Sequence, residues 1–145
     1  IMSCYNNNPE ATQKTVDNEG WLHTGDLGTM DKNGFLTITG RVKDMIIRGG
    51  ENHFPAEIEA VLVTNPDIMQ VAVVGLPDEK WGEVPCAFIE KVQDKETSEK
   101  ELIEFCKETL AGFKVPKKIE FCELPKTSTG KIQKFELRKK LKNNV

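Results

Sequence analysis

Apolar and polar positions change rhythm along the chain, and each change marks an element. Asn8-Pro9-Glu10 sets a capping residue ahead of a proline at the first helical position, which predicts a short helix ending near Asp17. Gly20 to Met30 reads as a strand and Asp31-Lys32-Asn33-Gly34 as a turn of residues that tolerate positive φ. Phe35-Leu36-Thr37-Ile38-Thr39 alternates as the returning strand. One helix and one hairpin cannot bury an apolar face alone, so the first forty residues imply a missing neighbour.

The rhythm differs from residue 45 onward. Met45-Ile46-Ile47 is a short strand, and Gly49-Gly50 is a turn that glycine makes without steric cost. Pro55 opens a helix with Ile58, Val61 and Leu62 on one face, closing before Asn65-Pro66. Ile68 to Leu76 and Val84 to Val92 are two strands joined through Pro77 to Gly82. Ser98 with Glu101 forms a capping box that opens a helix with Leu102, Phe105, Cys106 and Leu110 inward and Gly112 as its stop. Lys117 to Leu124 is a third strand, and Phe135 to Lys142 a basic terminal helix. The order β-α-β-β-α-β-α predicts an α+β domain, a mainly antiparallel three-stranded sheet with flanking helices.

Composition adds bounds. With 145 residues, 38% of them hydrophobic and 30% charged, the chain can hold a core without disulfides or metal. Its longest apolar stretch, Val71-Ala72-Val73-Val74, is too short for a membrane-spanning helix. Cys4, Cys86, Cys106 and Cys122 contain no C-x-x-C pair and have only His23 and His53 beside them. This predicts neither a metal site nor a disulfide framework, and favours a reducing, cytoplasmic compartment. No signal segment opens the chain, and its first residue is Ile1, which suggests a piece of a longer protein. The net charge of −3 combines unlike blocks: residues 1–40 carry 2 basic and 5 acidic side chains, 41–125 carry 11 and 17, and 126–145 carry 7 and 1. A basic tail on an acidic body fits either an anionic partner or a solvated helix.

Thr127-Ser128-Thr129-Gly130-Lys131 looks like a phosphate-cradling loop, but a nucleotide P-loop needs glycine where Pro125 stands and Ser or Thr where Ile132 stands. What remains is a lysine on a small-residue, mobile loop between a strand and a basic helix.

Three ordered segments give that lysine a context. They are Trp21-Leu22-His23-Thr24-Gly25-Asp26; Gly40-Arg41-Val42-Lys43-Asp44 with Gly49-Gly50-Glu51-Asn52 and Glu57-Ile58-Glu59; and Pro125-Lys126-Thr127-Ser128-Thr129-Gly130-Lys131. Together they resemble the late core motifs of the adenylate-forming acyl-CoA synthetases. The resemblance implies that residues 1–40 end a large N-terminal adenylation domain absent from this chain, that 41–44 form a hinge, and that 45–145 are a mobile C-terminal domain. It implies an enzyme in the full-length protein, using ATP, Mg²⁺ held mainly by the absent domain, and CoA, with a carboxylic acid as substrate and a fatty acid favoured. The isolated chain would be inactive.

The same resemblance makes Lys131 the adenylation lysine, Asp26 and Arg41 nucleotide contacts, and Lys43 the hinge residue. Gly49 and Gly50 would line the path of the pantetheine arm. Trp81 and Phe113 would be platforms for the CoA adenine, with Lys114 and Lys117 near its phosphates; no metal ligand is implied. Val115 stands where some relatives place an arginine, and His53 where an apolar residue is usual. A lone histidine there reads as a surface variation with no catalytic role. Two rivals stay open: an adenylation domain that loads a carrier protein, disfavoured by the Trp81-Gly82-Glu83 and Phe113-Lys114-Val115-Pro116 segments, and a stand-alone basic-tailed binding module. Nucleic acid is not expected as a partner, because the tail interleaves only Phe135 with its basic residues.

Overall fold

Asn8 caps the first helix, α1 (Pro9–Thr15), by accepting the Ala11 N–H at 3.0 Å. The computed structural model describes residues 2–143. After α1, β1 (Asp26–Met30) pairs antiparallel with β2 (Leu36–Arg41), and a short 3-10 turn follows at Val42–Asp44. The chain divides into two units, one up to Lys43 and one from Asp44 onward.

The second unit contains β3 (Ile46–Arg48), β4 (Glu51–His53), α2 (Pro55–Leu62), β5 (Ile68–Asp78), β6 (Gly82–Lys91), α3 (Glu99–Thr109), β7 (Lys118–Phe121) and α4 (Lys134–Asn143). Its sheet has five strands in the order β4-β3-β6-β5, with β7 also on β6. The expected count of three is therefore corrected: the short strand read at residues 45–47 joins this sheet, Arg48 pairing with Gly82 of β6, and β4 makes the fifth. Glu51-Asn52-His53 carries no apolar alternation, so it reads as turn in the sequence although it pairs with β3 behind the Gly49-Gly50 turn. The sheet is mainly antiparallel, but β7 lies parallel to β6. A parallel pair needs a crossover, and α3 supplies it.

Strands β5 and β6 are covered on both faces, which is why they read as continuous apolar runs. Val71, Val73, Ala87 and Ile89 face Ile58, Leu62, Leu102 and Cys106 of α2 and α3. Ala72, Val74, Cys86 and Phe88 face Leu137 and Leu141 of α4. The Ser98–Glu101 capping box is fully formed. Burial pushes the Cys86 thiol up to about 12 and that of Cys106 to about 11, so both stay protonated as small apolar groups at neutral pH. Among the described residues no helix is long and apolar enough to cross a membrane.

Candidate functional site

Lys131 stands on a turn anchored at both ends. Leu124 is buried and Ile132 partly so, both against the cluster beneath α4, and Lys126 bridges Ile132 across the turn. Small residues predict a slack loop, yet this one is cross-bonded. The Thr127 N–H donates to the Lys131 carbonyl at 2.8 Å, the Lys131 N–H to Thr127 Oγ1 at 3.1 Å, and the Gly130 N–H to the Thr127 carbonyl at 2.9 Å. Gly130 sits at φ +81°, where a side chain would be strained. The turn presents the exposed Lys131 away from the core. Ion pairs fix its base: Lys126 to Glu90 at 3.0 Å, Lys134 to Glu59 at 2.7 Å and Arg138 to Asp44 at 2.8 Å. Glu59 also accepts the Val73 N–H at 2.7 Å, tying α2, β5 and α4 together.

In the first unit, Asp17 organises the approach to the second candidate group. Its carboxylate accepts the Glu19 and Trp21 N–H groups and contacts His23 Nε2 at 2.9 Å. The Trp21 bond, followed by His23, holds its carboxyl below the usual range. The Asp26 N–H then donates to Thr24 Oγ1 at 3.1 Å, so Thr24 caps this turn and the Asp26 carboxylate points elsewhere. Register sets Asp26 directly opposite Arg41 on β2. Arg41 Nε lies 2.8 Å from Asp26 Oδ1, and Arg41 Nη2 donates to the Thr24 carbonyl at 3.1 Å. Both side chains remain more than a third exposed. Lys43 follows in the 3-10 turn.

A third grouping surrounds the Gly49-Gly50 turn, whose glycines have φ of +59° and +87°. The Gly49 N–H donates to the Trp81 carbonyl at 2.8 Å, and a β-carbon on Gly49 would lie 3.2 Å from the Trp81 ring. Asp78 accepts the Lys80 and Trp81 N–H groups and the Lys117 ammonium. Lys117, then the Trp81 N–H, holds the Asp78 carboxyl low. Arg48 joins the two aromatic candidates: its guanidinium lies 5.4 Å from the Trp81 ring centroid and donates to the Phe113 carbonyl. Lys114 bonds both oxygens of Glu57 at 2.7 Å. The fold thus draws Gly49, Trp81, Phe113 and Lys117 into one neighbourhood, and Lys131 stands outside it on the β7–α4 connection.

Sequence reading gave Arg48, Glu57 and Asp78 no role at this site, since contacts 65, 57 and 39 residues apart leave no local signal. His53 requires correction. It is 3% exposed, because the third position of β4 points inward, and its ring packs at 5.4 Å against Phe113. Desolvation lowers its pKa. Among the described residues no three His, Cys, Asp or Glu side chains form a metal-holding group, so no residue here is assigned to Mg²⁺.

The family model of the AMP-binding enzyme C-terminal domain matches residues 57–131, ending on Lys131. The chain is 50% identical over 141 residues to a 2-methylpropanoate–CoA ligase of Humulus lupulus, covering 95% of this chain and 25% of that protein. It is 50% identical over 146 residues to a long-chain-fatty-acid–CoA ligase of Mycobacterium tuberculosis, covering 100% and 29%. The ATP-bound crystal structure of MatB from Rhodopseudomonas palustris superposes with a TM-score of 0.90 at 35% identity, covering 98% of this chain and 28% of that one. The chain therefore spans under a third of the length of these relatives. With the match running over more than half its residues, the chain belongs to the AMP-binding enzyme C-terminal domain family.

Proposed function

We propose that this chain is the C-terminal portion of an acyl-CoA synthetase, an acid–thiol ligase that works in two half-reactions. A carboxylate attacks the α-phosphorus of ATP, giving an acyl-adenylate and pyrophosphate. The CoA thiol then attacks the acyl carbon, displacing AMP and forming the thioester. The observation that carries this reading is the exposed Lys131 on a cross-bonded turn at the end of the family match. An ammonium presented there can hold a carboxylate oxygen and an α-phosphate oxygen together and offset charge developing at phosphorus.

Asp26 and Arg41 serve the nucleotide. Arg41 Nε occupies one Asp26 oxygen, leaving acceptor capacity for ribose hydroxyls, while the remaining guanidinium donors suit phosphate or ribose oxygens. Lys43, in the turn between the two units, is the hinge position, where backbone freedom matters more than the side chain. Rotation about it would withdraw Lys131 after adenylation and bring up the Gly49-Gly50 turn for the pantetheine arm. Trp81 and Phe113 then take the adenine, with Lys114 and Lys117 nearby. The substrate is a carboxylic acid, with fatty acids the first class to screen, since the acid pocket belongs to the upstream domain.

In the full-length protein, Lys131→Ala should lower acyl-adenylate formation by about 10²–10³-fold and spare thioester formation from supplied acyl-adenylate. Pyrophosphate release and CoA acylation, assayed separately, check this. Equal loss of both half-reactions would count against assigning Lys131 to the first step alone, and pyrophosphate release by the isolated chain would refute its dependence on an upstream domain.

A further inference from the structure

The cavity beside Trp81 has a volume of about 480 Å³ and is lined by Arg48, Trp81, Val115, Pro116 and Lys117, with Lys107 at its edge. If CoA binds this face, its nucleotide half must find cations for its phosphates, and the structure discriminates among those on offer. Val115 is 8% exposed and packs into the core with α2 and α3, so position 115 supplies none. Lys114 is bonded to both Glu57 oxygens and Lys117 to Asp78; each must leave a carboxylate to take a phosphate. Lys107 is paired with Glu104.

Arg48 differs from all three lysines. Among the described contacts its guanidinium meets the Trp81 ring and the Phe113 carbonyl, and no carboxylate. A guanidinium has five donors in a planar fork suited to phosphate oxygens, and these two contacts leave several of them over. It is half-buried, which weakens competition from water, and it is already oriented, so little side-chain freedom is lost on binding. It also touches both proposed adenine platforms, and the 3′-phosphate of CoA is carried on the ribose attached to that adenine.

We propose that Arg48 is the residue that binds the 3′-phosphate of CoA. The inference rests on the reading of this face as the CoA side. The test is calorimetric titration of the full-length protein with CoA and with 3′-dephospho-CoA. Arg48→Gln should raise the Kd for CoA about ten- to a hundredfold and that for 3′-dephospho-CoA less than about threefold, collapsing the preference for the phosphorylated form. Arg48→Lys should keep part of that preference, because the charge stays while the fork is lost. Lys114→Gln and Lys117→Gln should change the preference less than Arg48→Gln. Equal weakening of both ligands by Arg48→Gln would make Arg48 a prop for Trp81 and Phe113 and overturn the proposal. No change with Arg48→Gln, alongside weakened binding of both ligands by Trp81→Ala, would overturn it while the CoA face stands. No change with Trp81→Ala either would overturn both readings.

Discussion

Phe35 in the first unit is 73% exposed, and Phe88 in the second is fully buried. The same contrast runs through each unit. Trp21, Met30, Leu36 and Ile38 are all at least 60% exposed, and among the described residues up to Lys43 none is buried. From Ile46 onward two apolar clusters fill both sides of one sheet. The residues proposed for the nucleotide, Asp26 and Arg41, lie in the unit without a core, and the proposed lysine and CoA groups lie in the unit that has one. Two short strands offer one face each, and that face needs a partner; the five-stranded sheet brings its own helices. On the proposed reading the first unit is a surface that an upstream domain covers, whereas the second carries a core of its own.

The sharpest way to break this contrast is to truncate one aromatic in each unit. Phe88→Ala should destabilise the chain by about 3–5 kcal/mol, measured by denaturant unfolding. Phe35→Ala should stay within about 0.5 kcal/mol in this chain and become clearly destabilising in the full-length protein, where its ring would be covered. Comparable losses from both in the isolated chain would mean that the hairpin already belongs to the cooperative unit.

The difference between the units also explains what the sequence made legible. Helices with an apolar stripe and a start signal, a proline for Pro55–Leu62 and a capping box for Glu99–Thr109, announce themselves within one window. So do β5 and β6, whose apolar runs reflect cover on both faces. Strand β4 does not, because two of its three residues are exposed and polar and only His53 turns inward. Nothing local distinguishes a parallel β7 from an antiparallel one, since the choice is made by where α3 returns the chain. The proposed site is legible where glycine and lysine stand in fixed order, at Gly49-Gly50 and Thr127 to Lys131, and there the proposed roles come from the resemblance alone. Arg48, Glu57 and Asp78 became visible only when separate elements met.

A smaller effect tests how the second unit holds the Lys131 turn. Glu59 accepts both the Lys134 ammonium and the Val73 N–H. Glu59→Ala leaves a backbone donor and a half-buried cation without their acceptor, and should cost about 1.5–3 kcal/mol. A matching loss of adenylate formation in the full-length protein would show that the ion pair also orients the turn, whereas a loss of stability alone would confine it to packing.

Smaller again is the cap comparison, where the same device occurs in both units. Ser98 accepts the Glu101 N–H while Glu101 bonds back to the Ser98 N–H, and Ser98→Ala should lower the unfolding free energy by about 1 kcal/mol. Asn8 caps a seven-residue helix that buries nothing. Asn8→Ala should therefore loosen α1 locally, seen as faster amide exchange, with no shift in the unfolding midpoint. A midpoint shift as large as that from Ser98→Ala would place α1 inside the cooperative core.

The finest distinction is a slope with pH. His53 is buried against Phe113, and among the described contacts its Nδ1 has no hydrogen-bond partner; desolvation, the largest cause, lowers its pKa from 6.5. A histidine whose folded pKa is depressed takes up its proton more readily in the unfolded chain. Its contribution is therefore fully present above the unfolded pKa and declines as pH falls below about 6.5, until the folded form protonates too. Denaturant midpoints measured from pH 7.5 to 5 should fall more steeply for the parent chain than for His53→Phe, which keeps a ring beside Phe113 and removes the proton. An unaltered slope in His53→Phe would mean that this ring is not the pH-sensitive group, and that its burial beside Phe113 does not tie the stability of the second unit to pH.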